Sequence, residues 1–119
     1  MADQFYKKDD IRKIHALAQL VPEPMQALVE VNDKVFAEGA LSTKTKELIA
    51  IAVAHVTSCA FCIDIHTKNA LREGATDEEV AEAILVGVAM KASSALSHAV
   101  IAINAMEEFH SLHHTPAKK

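Results

Sequence analysis

Apolar residues recur at three- and four-residue intervals along most of the chain, the spacing that gathers them on one side of a helix. No segment alternates with the two-residue period of a strand. Asp9 or Asp10 can cap a first helix carrying Ile11, Ile14, Leu17 and Ala18, which Pro22 and Pro24 bring to an end. A second helix is expected from about Pro24 to Glu38, with Met25, Leu28, Val31 and Val35 as its apolar stripe and Gly39 as its stop. Ser42 or Thr43 can open a third, from Lys44 to about Val56. Its body, ELIAIAVAHV, is apolar almost all round, which marks a helix of the core.

Thr57 and Ser58 are N-cap residues and Gly74 a C-terminal stop, so a fourth helix is expected over about 59–73. Thr76-Asp77-Glu78-Glu79 reads as a capping box opening a fifth, Asp77 to about Lys91. Beyond Ala92-Ser93-Ser94-Ala95, helical spacing resumes through Leu96, Val100, Ile103, Ala105 and Met106 to about Leu112. The pattern leaves open whether the helix after Lys91 is continuous or is broken near Ser93 by a kink or a turn. The pattern therefore predicts an all-α bundle of about six helices, one domain spanning 1–119.

Composition agrees with this. About twenty alanines stand against 3 Gly and 3 Pro, and only 4% of residues are aromatic. A net charge of −4 leaves no basic face for a phosphate backbone, so no nucleic-acid partner is expected. The longest unbroken apolar runs, Leu48 to Ala54 and Ala83 to Met90, fall short of the ~20 residues that span a bilayer. MADQFYKKDD lacks the apolar stretch of a signal peptide, so no membrane partner and a cytoplasmic location are expected. Several apolar stripes are wider than so small a monomer can bury, which points to a homo-oligomer.

The 2 cysteines, Cys59 and Cys62, lie three apart. In a reducing compartment such a pair is a working redox couple or half of a metal site. His66 follows Cys62 by four positions, so on a helix residues 59, 62 and 66 share one face. A helix start favours a thiolate, a histidine one turn away can take the thiol proton, and a carboxylate behind it can hold the resulting charge. Glu47 is the only acid between Glu38 and Asp64 and opens an apolar helix, where a carboxylate needs a partner. Proximity to the helix start favours Cys59 as the more acidic thiol; proximity to His66 favours Cys62. A zinc site from Cys59, Cys62, His66 and Glu47 is the alternative, although positions 59 and 66 lie about 10.5 Å apart along a helix axis.

Glu47, eleven intervening residues, then Cys59-Ala60-Phe61-Cys62-Ile63-Asp64-Ile65-His66 resembles the core motif of the alkylhydroperoxidase D-like members of the carboxymuconolactone decarboxylase family. The likeness runs from about Pro24 to Lys91, through LSTKTKELIAIAVA and LREGATDEEVAEAI. The resemblance implies an all-α fold, a homo-oligomer with a hexamer as the best single assignment, and reduction of a hydroperoxide by a dithiol without organic or metal cofactor. It assigns Cys62 as the peroxide-attacking thiol, Cys59 as the resolving thiol, and Glu47 and His66 as a proton relay. An external dithiol reductant is the implied partner. The best-studied hydroperoxidase members carry a histidine immediately before the second cysteine, where this chain has Phe61. Members acting as decarboxylases lack the cysteine pair.

The other titratable residues read as structure. His55 and His98 are expected to be satisfied within their helices. His110, His113 and His114 gather at the end of the last helix, where positive charge is favoured. Asp77, Glu78, Glu79 and Glu82 form an acidic helix start, and Met90 and Met106 are core fillers.

Overall fold

The computed structural model describes residues 5–113. Among them a 3-10 turn, Lys8–Lys13, leads into six α-helices and no strand: α1 (Ile14–Leu20), α2 (Pro22–Phe36), α3 (Thr43–Thr57), α4 (Ala60–Arg72), α5 (Asp77–Ser97) and α6 (Ala99–Leu112). The all-α expectation holds.

Three starts differ from their expected place. Asp10 lies inside the opening turn and not before it, accepting the Lys7 N–H on Oδ2 at 2.6 Å. Pro22 takes the first position of α2, where its missing N–H is no loss, so the prolines open α2 as much as they close α1. Ser58 does not cap α4. It ends α3 in the left-handed conformation, φ 58°, and the cap passes to Cys59. The expected signals at Ser42, Gly74 and Thr76 are in place. The Ser42 hydroxyl accepts the Thr45 N–H at 3.1 Å. Gly74 has a φ of 91°, which L-residues rarely adopt. Thr76 and Glu79 exchange hydrogen bonds at 3.1 and 2.9 Å.

The small core lies where α3, α4 and α5 meet. Ile51, Ala70 and Ala75 are buried there, with Leu48, Val80 and Ile84 packed around them. Helix α3 runs along both α4 and α5. Gly87 lets α5 lie against α3 so closely that a Cβ at this position would meet Ala52 O at 2.8 Å. Helix α3 is central, as its composition predicts, yet Ile49 and Val53 remain about half exposed. The α2 stripe is also bare at Leu28, Val31 and Val35, and Met90 and Met106, expected as core fillers, are more than half exposed.

No kink or turn interrupts the chain at Ser93. Helix α5 continues to Ser97 and passes into α6 through His98, whose φ of −68° and ψ of −15° are helical. Asp77–Leu112 is therefore one rod of 36 residues, long and apolar enough by length and composition alone to cross a bilayer, which the unbroken apolar runs do not reveal. The shape is extended, with a radius of gyration of 21.9 Å. A compact chain of this length would have about 13.5 Å. The accessible surface is 9729 Å², against about 6300 Å² for a monomer of this mass. The ten residues outside the described span account for at most about 1600 Å² of that excess.

Candidate active site

The junction of α3 and α4 brings four residues together. At Ser58 the chain reverses, and Cys59 becomes the N-cap of α4 with its Sγ accepting the Cys62 N–H at 3.3 Å. A sulfur held there sits in the field of the helix N-terminus. Cys59 and Cys62 are joined as a disulfide with Cα atoms 5.2 Å apart. Cys59 thus stands just outside the helix, while Cys62 and His66 lie one turn apart within it.

Glu47, in the second turn of α3, is only 5% exposed. Its Oε2 accepts from His66 Nδ1 at 2.6 Å, and its Oε1 accepts from Asn69 Nδ2 at 3.5 Å. A carboxylate buried without partners would cost several kcal/mol; here both oxygens are engaged. A carboxylate only accepts, so Nδ1 carries the proton and the lone pair of neutral His66 is on Nε2. Phe36, the last residue of α2, stacks on the imidazole with ring centroids 5.1 Å apart. An open cavity of about 470 Å³ has both Cys62 and His66 in its wall, with Phe36, Ile49, Val53 and Lys46 among the other lining residues. The imidazole that Glu47 orients therefore shares a largely apolar cavity with the second cysteine.

Phe61 does not enter this cavity. Its ring packs on Tyr6 at 5.0 Å, beside the ion pair of Lys8 and Asp64 at 3.3 Å. Asp64 is held below the usual carboxylate range, first by its hydrogen bond to Lys68 and then by Lys8. The position that carries a histidine in the resembled hydroperoxidases is thus turned toward the N-terminal segment. His55 and His98 bond back to Ile51 O and Ser94 O, each at 2.8 Å, as structural histidines do. His113 bonds to Phe109 O and stacks on the Phe109 ring, and His110 meets that ring edge-on. His114 lies outside the described residues.

The alternative of a zinc site finds its sulfurs bonded to each other and His66 Nδ1 bonded to Glu47. Among the described residues no group of three or more His, Cys, Asp or Glu is arranged to hold a metal. Sequence reasoning missed two residues of the site. Asn69 carries a readable signal, since it continues the Cys62–His66 face by three positions. Phe36 carries none, because only the packing of α2 brings it to His66.

Comparison with known proteins places the chain among all-α relatives. The profile of the carboxymuconolactone decarboxylase family matches residues 22–105. An uncharacterized protein in the cox locus of Paracoccus denitrificans is 50% identical over 82 residues, 69% of this chain and 74% of that one. Among solved structures, a carboxymuconolactone decarboxylase family protein from Legionella pneumophila superposes with a TM-score of 0.67 at 34% identity, covering 86% of this chain and 91% of that one. A family member from Thermotoga maritima, for which a part in an antioxidative response has been suggested, gives a TM-score of 0.56 at 29% identity, covering 76% and 93%. The chain belongs to the carboxymuconolactone decarboxylase family.

Proposed function

We propose that the protein is a thiol-dependent hydroperoxide reductase. The observation that supports this best is the buried Glu47–His66 pair, 2.6 Å between Oε2 and Nδ1, on the same cavity as Cys62 of a bonded Cys59–Cys62 pair. In the dithiol form, His66 Nε2 takes the Cys62 proton while Glu47 stabilises the imidazolium. The thiolate attacks one peroxide oxygen and the O–O bond breaks. Cys62 becomes a sulfenic acid, and the leaving alkoxide takes its proton from His66. Cys59 then attacks the Cys62 sulfur, releasing water and forming the disulfide. An external dithiol returns both cysteines to thiols by exchange, itself becoming a disulfide. The chemistry requires no organic or metal cofactor.

A steady-state assay with an organic hydroperoxide and a small dithiol tests the proposal. Peroxide-dependent oxidation of the dithiol is expected, and its absence in the wild-type protein overturns the reading. A dithiol–disulfide oxidoreductase or redox sensor that never meets peroxide is the second reading, favoured by Phe61 facing Tyr6 and not the relay. It predicts disulfide exchange without peroxide turnover. A non-enzymatic oligomeric accessory protein would show neither.

The exposed apolar faces of α2, α3, α5 and α6 support assembly as a homo-oligomer, for which the family resemblance favours a hexamer.

A further inference from the structure

We infer that Asn69 is a positioning residue for the Glu47–His66 pair, fixing the second oxygen of the buried carboxylate; this rests on the relay reading above. Asn69 follows Cys62 by seven positions and His66 by three, so the three side chains run along one face of α4. Its Nδ2 meets Glu47 Oε1 at 3.5 Å, and its Oδ1 accepts from Arg72 Nη1 at 2.9 Å.

The two neighbours leave the amide one orientation. A guanidinium only donates, so it takes the amide oxygen. A carboxylate only accepts, so it takes the amide nitrogen. Arg72 thus locks the amide, and its charge polarises the Asn69 N–H toward Glu47. With Glu47 5% exposed, Oε1 without this donor would be a buried carboxylate oxygen lacking a partner. A carboxylate held at both oxygens has a fixed plane. Held at Oε2 alone, it turns about its Cγ–Cδ bond and loses alignment with His66 Nδ1. Asn69 therefore acts through Glu47 and touches neither thiol nor peroxide.

The test uses the full chain in a Cys59→Ser background, in which iodoacetamide reports on Cys62 alone. Asn69→Leu removes the donor at similar volume. Alkylation at neutral pH should fall by roughly three- to thirty-fold while the alkaline plateau is kept, so that the apparent thiol pKa rises. Arg72→Met, a change at an exposed residue, unlocks the amide and should shift the profile the same way by less. This variant keeps the question answerable if Asn69→Leu folds poorly. Adding Asn69→Leu to Glu47→Gln should change nothing further, because both act through one carboxylate. If Glu47→Gln shifts the profile and neither Asn69→Leu nor Arg72→Met does, this inference falls and the relay stands. A shift in the double variant equal to the sum of the singles also overturns it. If Glu47→Gln itself leaves the profile unchanged, the relay falls, and this inference with it.

Discussion

Glu47 and His66, 19 residues apart on adjacent helices, meet with Oε2 and Nδ1 2.6 Å apart at the edge of the small core. Glu47→Gln should keep the fold, because glutamine can still accept from His66 and fills the same space. It cannot stabilise an imidazolium. The rate of Cys62 with hydroperoxide should drop by roughly 10²- to 10⁴-fold, the range of a general-base contribution. Stopped-flow peroxide consumption measures it. Wild-type kinetics in the variant would return Glu47 to a purely structural role.

The two thiols should separate by trapping. Cys62→Ser should consume no peroxide. Cys59→Ser should react once and hold a sulfenic acid that dimedone captures, seen as a mass increase in the intact protein. The Cys59 sulfur caps α4 and so gains most from the helix N-terminus, whereas Cys62 lies one turn from His66. An adduct on Cys62→Ser and an inert Cys59→Ser would mean that the helix field outweighs the histidine.

Most of the fold was legible because its signals are local. Ser42, Gly74 and the Thr76–Glu79 box each act through a hydrogen bond or backbone angle within four residues. The Glu47–His66 pair was legible for a different reason: an acid opening an apolar helix has to find a partner. What was hidden depends on neighbours. Ser58 has the chemistry of a cap, yet the reversal after α3 uses it as a left-handed residue and leaves Cys59 to cap. The Ser93-Ser94 cluster, where the pattern left continuation open, stays helical. The approach of Phe36 to His66 is set by packing alone.

Gly87→Ala tests the contact on which the α3–α5 packing rests. Alanine favours a helix over glycine by about 1 kcal/mol. The added Cβ, 2.8 Å from Ala52 O, would push two backbones apart. Overpacking of that kind costs about 1–3 kcal/mol. A net loss in thermal stability is expected by calorimetry, and a stabilised variant would show that α5 can move away freely.

Acid should loosen the tie between α3 and α5. Glu79 is held below its ordinary value of 4.5, first by Lys44 and then by the Thr76 backbone N–H. Its folded-state value is the lower one, so its contribution is present above the ordinary glutamate range and is lost as pH falls through the depressed value. Amide exchange in the first turns of α3 and α5 should therefore quicken below about pH 4.5 in the wild type. In Glu79→Gln this part of the pH dependence should be missing. The same acid response in both proteins would assign it to other groups.

Helix α6 should carry the self-association. Within its own chain it contacts little beyond the end of α5, and Val100, Ile103, Met106 and Phe109 are each about half exposed. Exposed apolar surface on this scale is unfavourable in water by about 25 cal/mol per Å², so covering it with a second copy would lower the free energy. Sedimentation velocity at micromolar concentration should give a mass several times 12.9 kDa. Ile103→Asp with Met106→Asp puts two charges on that face. The core at Ile51, Ala70 and Ala75 comes from α3, α4 and the loop before α5 and is untouched. The double variant should keep its helical circular dichroism and lose mass toward the monomer. A wild-type mass near 12.9 kDa would overturn the assembly outright. A variant that stays assembled would move the interface from α6 to the bare faces of α2 and α3, where Val35 and Val53 border the Cys62 cavity.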